Sequence, residues 1–147
     1  MPVDSIFTIG ESGLDFQRSR IEAIAANIAN ASATRSTGGE VYKPVDVVAT
    51  SGASDGIAFP GYRYSNLDPG ALQGIERVEV VERNSEPRMV FDPNHPDADS
   101  KGYVSMPNVD PVVEMTNLMA ATRAYEANIR VLNAAKAMAM KSMELGE

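Results

Sequence analysis

From Pro111 to Leu145 the chain runs 35 residues without an internal proline or glycine. An α-helix of that length spans roughly 50 Å at 1.5 Å per residue, which no compact core of a chain of 147 residues can cover along its whole length. Its start is marked chemically. Asp110 supplies an N-cap oxygen, Pro111 a preset φ, and Glu114 a negative charge in the first turn, where the helix dipole favours it. Leu118, Tyr125, Leu132 and Ala139 recur every seventh residue. They are flanked by Met115, Thr122, Ile129 and Met143 on one side and by Ala124, Val131, Met138 and Leu145 on the other. So wide a stripe exceeds what one partner helix can bury, and part of it is expected to meet another element or another chain. Glu126 and Arg130, acid first at i and i+4, mark the solvated face.

A second heptad opens the chain. Phe7, Leu14, Ile21 and Ile28 recur at sevens, with Ile24 and Ala31 at the intervening spacing, and predict an amphipathic helix from Asp4 to Ala33. Asp4 or Ser5 can cap it, and the pattern stops before Thr37-Gly38-Gly39. Gly10, Gly13 and Gln17 are expected to weaken the start of this seam, since a helical glycine costs about 1 kcal/mol against alanine. Asn27 and Asn30 admit two readings: hydrogen-bonding groups that set the register of a helix interface, or C-terminal capping. The two terminal helices are expected to pair.

Between them, Ser36 to Asn108 holds seven of the nine prolines and most of the glycines. Short β-like runs fall at Val41–Thr50, Gly56–Tyr64, Ile75–Glu82, Arg88–Phe91 and Tyr103–Met106. Asp68-Pro69-Gly70 and Asp92-Pro93-Asn94-His95-Pro96 carry turn chemistry, and Ser51 to Asp55 has the composition of a surface loop. The predicted fold class is α+β: long N- and C-terminal helices paired as a coiled-coil-like layer, with a small antiparallel β unit inserted between them. Its parts are an N-terminal helix in residues 1–35, a β-rich insert in 36–108, and a C-terminal helix in 109–147.

A net charge of −7, spread over all three parts, argues against a phosphate-binding surface, so no nucleic acid is expected as a partner. Without cysteine there is neither a disulfide framework nor a thiolate metal site. The first residues lack the basic and apolar regions of a cleaved signal peptide, and no apolar run approaches membrane-spanning length. Catalytic constellations are equally hard to assemble. His95, the single histidine, sits among Asp92, Asp97 and Asp99; an EF-hand reading from Asp97 fails at Lys101 and Asn108, and a polar turn explains the cluster better. Glu76, Glu79 and Glu82 read as solvated strand positions, no Gly-x-Ser-x-Gly elbow occurs, and Gly10-Glu11-Ser12-Gly13 is too short for a phosphate loop. Asn30-Ala31-Ser32 matches a glycosylation acceptor but lies within the predicted helix, and is read as chance. No catalytic residue, metal, cofactor or small-molecule substrate is expected.

Three stretches together resemble the flagellar axial proteins, the family of rod and hook subunits. Ile24-Ala-Ala-Asn-Ile-Ala-Asn30 is similar to the motif that ends their N-terminal helix. Asn108 to Asn128, with Glu114-Met115, Arg123, Tyr125 and Asn128, is similar to their C-terminal helix, and Phe91 to Asn108 resembles the segment that separates one short rod member from its siblings. The resemblance covers roughly residues 5–43 and 86–147. It implies a structural subunit of the basal-body rod spanning the periplasm, where it transmits torque. It further implies partners among other rod proteins, copies of itself and membrane-ring/rod junction proteins, and export by the flagellar type III apparatus. A small acidic helical adaptor or secretion chaperone is the alternative. The expected helix and subunit interface comprises Phe7, Leu14, Ile21, Ile24, Asn27, Ile28, Asn30, Leu118, Tyr125, Asn128, Ile129, Val131, Leu132, Met138 and Met143.

Overall fold

The computed structural model describes residues 2–34, 39–51 and 74–144. Helix α1 spans Pro2–Asn30 and helix α2 Pro111–Glu144; between them lie strands β1 (Val45–Ser51), β2 (Ile75–Glu82), β3 (Arg88–Phe91) and β4 (Tyr103–Met106). The order helix, β insert, longer helix is the predicted one. The Gly56–Tyr64 run, the Asp68-Pro69-Gly70 turn, Ser51–Asp55 beyond its first residue, and Leu145 lie outside the described residues.

Three boundaries differ from expectation, each for a local reason. Helix α1 begins before Asp4 and Ser5, which therefore lie within it rather than capping it, and it ends at Asn30. The chain there tightens into turns in which Ala31 N donates to Ile28 O at 3.2 Å and Ala33 N to Asn30 O at 3.0 Å. Strand β1 starts at Val45 instead of Val41. Pro44 has no N–H to give a ladder, and its carbonyl instead accepts from Arg83 N at 2.7 Å. The remaining three strands fall on the predicted runs.

The helices pack antiparallel. A side chain added at Gly13 would meet Asn128 at 3.2 Å, and one at Gly10 would run into Leu132. At the two glycines expected to weaken the seam, the missing Cβ leaves room for side chains of α2. Along α2 the covered positions repeat as Glu114, Leu118, Ala121, Tyr125, Asn128 and Leu132, alternating fours and threes. On α1 the deepest are Ala23, Ile24 and Asn27, with Ala31 buried just past its end and Phe7, Leu14, Ile21 and Ile28 half-buried beside them.

The β insert forms two separate antiparallel ribbons, β1–β2 and β3–β4. The first lies along α1. Val45 pairs with Glu82 at one end and Ser51 with Ile75 at the other, where the register shifts. Both ends are tied to the helix: Val45 to Asn27, and Ile75 N to Ser12 Oγ at 3.1 Å. The lengths agree, since seven strand residues cover about 20 Å and the helix between Ser12 and Asn27 about 22 Å. The second ribbon is closed by the turn around His95. There Asp92 Oδ1 accepts from Asn94 N, His95 Nδ1 from Asp97 N, and Asp99 Oδ1 from the N–H groups of Lys101 and Tyr103. Gly102 adopts φ 82°, a value that excludes most side chains. Thr34 Oγ1 donates to Asp97 Oδ2 at 2.7 Å and ties this turn to the end of α1.

Candidate functional site

Two features stand out on this frame: an apolar surface on α2 that none of the described residues covers, and a partly buried polar junction where both helices meet the first ribbon.

The surface follows from the width of the α2 stripe. Leu118, Tyr125, Asn128 and Leu132 are half-buried on the side facing α1, and Ile129 is half-buried at its edge. Val131 is 62% exposed and Met138 70%, on one flank with Val113; Val112, Met115 and Met119 form the other. Met143 is 74% exposed in the last described turn, where α2 outruns the shorter α1. The residues expected at an interface therefore divide. Ile24 is buried and Phe7, Leu14, Ile21, Ile28, Leu118, Tyr125, Asn128 and Leu132 are half-buried, while Val131, Met138 and Met143 are exposed. Val112, Val113, Met119 and Met140, all exposed, were not anticipated, although Val112, Met115 and Met119 have a helical spacing that sequence could have disclosed.

The junction is built from Asn27, Tyr42, Val45, Asp46, Arg83 and Glu114. Asn27 is 1% exposed. Its Nδ2 donates to Val45 O at 2.9 Å, and its Oδ1 accepts from Val45 N at 2.9 Å and from the Tyr42 hydroxyl at 3.0 Å. None of these bonds caps α1 or reaches α2: the amide stands beside β1 as a strand residue would. Asn30, by contrast, makes a local bond, Nδ2 to Ala26 O at 2.8 Å, within its own helix. Arg83, just past β2, grips Asp46 with two bonds, Nε to Oδ2 at 2.9 Å and Nη2 to Oδ1 at 2.5 Å. Its Nη2 also lies 3.6 Å from Glu114 Oε1.

Electrostatics at the junction follow from those contacts. The Arg83 hydrogen bonds hold the Asp46 carboxyl below its usual range, and Asp46 in turn raises Arg83. Burial, then the charge of Glu114, pushes the Tyr42 hydroxyl up. Glu114 is only 3% exposed, so its first-turn position does more than complement the helix dipole. Asp110 provides the cap as predicted, its Oδ1 accepting from Val112 N at 2.9 Å. A shallow cleft lined by Arg20, Ile24, Asp46, Glu114 and Asn117 opens beside the junction. Among the described residues no cluster of acids and histidine has the arrangement to hold a metal ion, and no described helix is long and apolar enough to cross a membrane.

Comparison with known proteins places these features in a lineage. Residues 7–35 match the family described as "Flagella basal body rod protein", and residues 100–145 match "Flagellar basal body rod FlgEFG protein C-terminal". The chain is 37% identical over 147 residues to the flagellar basal-body rod protein FlgC of Escherichia coli O6:H1, covering all of both chains. It is 37% identical to FlgC of Bacillus subtilis over 95% of each chain. It is 38% identical to FlgC of Borreliella burgdorferi over 94% of this chain and 93% of that one. With its paired terminal helices and end-to-end likeness to these relatives, the chain belongs to the FlgC family of flagellar basal-body rod proteins.

Proposed function

We propose that the chain is a structural subunit of the bacterial flagellar basal-body rod, assembling with other axial proteins into a shaft that transmits torque. The family is one of structural rod proteins rather than enzymes. The observation that carries the assembly reading is the apolar flank of α2, from Val113 through Val131 to Met138, which lies open along most of a helix already packed on its other side. Such surface is stabilised by contact with neighbours, and head-to-tail contacts of one patch with a different one generate an open helical assembly. Val131, Met138 and Met143 are assigned to contacts between subunits. The half-buried seam residues hold the presenting helix against α1. Location across the periplasm, contact with membrane-ring junction proteins and passage through the type III export apparatus belong to the same reading.

Imaging basal bodies from cells that lack the chain tests it: rings without a completed rod are expected, and an intact motile filament would refute it. An adaptor or chaperone would be recovered from the cytoplasm and be missing from purified basal bodies. At finer grain, Val131→Glu combined with Met138→Glu is expected to leave the isolated chain's helix content unchanged while abolishing incorporation into rods.

A further inference from the structure

We propose that the Asn27, Arg83 and Glu114 junction fixes the register in which α1 and α2 pair, with the β1–β2 ribbon as the gauge. The inference concerns the chain itself and stands independently of the rod assignment.

A heptad seam is ambiguous by seven residues. Sliding α2 along α1 by one repeat, about 10 Å, sets apolar positions against apolar positions again, so the seam alone discriminates weakly between registers. Small residues add to the ambiguity, since Ala121, Ala135 and Ala139 recur on α2 and present little shape to α1. Polar groups buried at one level resolve it. In an antiparallel pair the residue numbers at one level have nearly the same sum, so the register that puts Gly13 at Asn128 and Gly10 at Leu132 puts Asn27 at about the level of Glu114.

At that level the ribbon connects the two. Asn27 commits its whole amide to Val45 and Tyr42, which places β1 on α1 without freedom to shift. Val45 pairs with Glu82, so Arg83 follows at a set height, and its backbone N–H is anchored on Pro44 O at 2.7 Å. From there the guanidinium reaches Asp46 of the ribbon and Glu114 of α2 together. Glu114 is buried, and among the described residues Arg83 is the cation within ion-pair distance of it, with Arg20 lining the same cleft. A one-heptad slip carries Glu114 about 10 Å away and breaks its contact with Arg83, a loss that an apolar seam equivalent in both registers does not offset.

The absence of cysteine allows a direct test by introduced pairs. Gly13→Cys with Asn128→Cys reports the present register, and Gly13→Cys with Ala121→Cys or Ala135→Cys reports the slipped ones. Oxidation of the full chain is expected to cross-link the first pair predominantly. Adding Glu114→Gln is expected to raise the slipped product relative to the native one by about tenfold or more, a change worth about 1.4 kcal/mol. Asn27→Ala is expected to act in the same direction, with the two together not exceeding the larger single effect, since both act through one junction. An unchanged ratio in Glu114→Gln would overturn the proposal. So would loss of all three cross-links, which would mean that the junction holds the helices together rather than choosing how they align.

Discussion

Asn27 shows how much depends on a single side chain in a molecule of this kind. An amide with three hydrogen bonds and almost no exposure cannot be truncated without stranding the main-chain groups of Val45 and the Tyr42 hydroxyl. Asn27→Ala is expected to destabilise the chain by about 1–3 kcal/mol, read as a lower urea midpoint at unchanged slope. Asp46 predicts a pH dependence. Its folded carboxyl titrates below the ordinary value of 3.8, so the stability it contributes is complete above that value and is lost as pH falls through the lower, folded one. Asp46→Asn should therefore flatten the acid limb of a thermal melting profile. The effect is small, because both partners are partly exposed and solvent screens the pair. Tyr42 works at the other end of the scale. Its hydroxyl is raised above 10.0, so stability falls as pH climbs past that value, and Tyr42→Phe should lessen that decline.

At the scale of elements, the seam is shaped by what is missing from it. Gly10→Ala gains about 1 kcal/mol of helix propensity but forces a methyl group into Leu132. Overpacking of this sort costs about 1–3 kcal/mol, so net destabilisation is expected, and pairing it with Leu132→Ala should recover part of the loss in denaturant titrations. The helices, the four strands, with β1 starting four residues late, and the pairing of the termini were legible in the sequence because periodicity, caps and turn residues act locally. Heptads at Phe7 to Ile28 and Leu118 to Leu132 announced a seam, and Asp110-Pro111 its second start. What Gly10 and Gly13 do was hidden, since a glycine in a helical pattern signals weakness until the partner helix is in view. The roles of Asn27, Arg83 and Glu114 were hidden for a different reason. Each depends on residues far along the chain, and nothing in the spacing of Asn27 and Val45 announces that a side-chain amide will stand in for a strand.

For the whole molecule, antiparallel pairing brings the start of α1 and the end of α2 to one pole, with the His95 turn tied to the end of α1 at the other. The long helix is lined with thioethers: Met115, Met119, Met138, Met140 and Met143 are all more than half exposed. Thioether sulfur is oxidised readily where oxidant reaches it, and the sulfoxide adds mass that a spectrometer counts residue by residue. The chain therefore carries its own footprinting reagents, laid out at intervals along the surface in question. Brief peroxide treatment of the isolated chain should label all five, and the same treatment of assembled rods should spare those that a neighbouring subunit covers, mapping the contact without a single substitution.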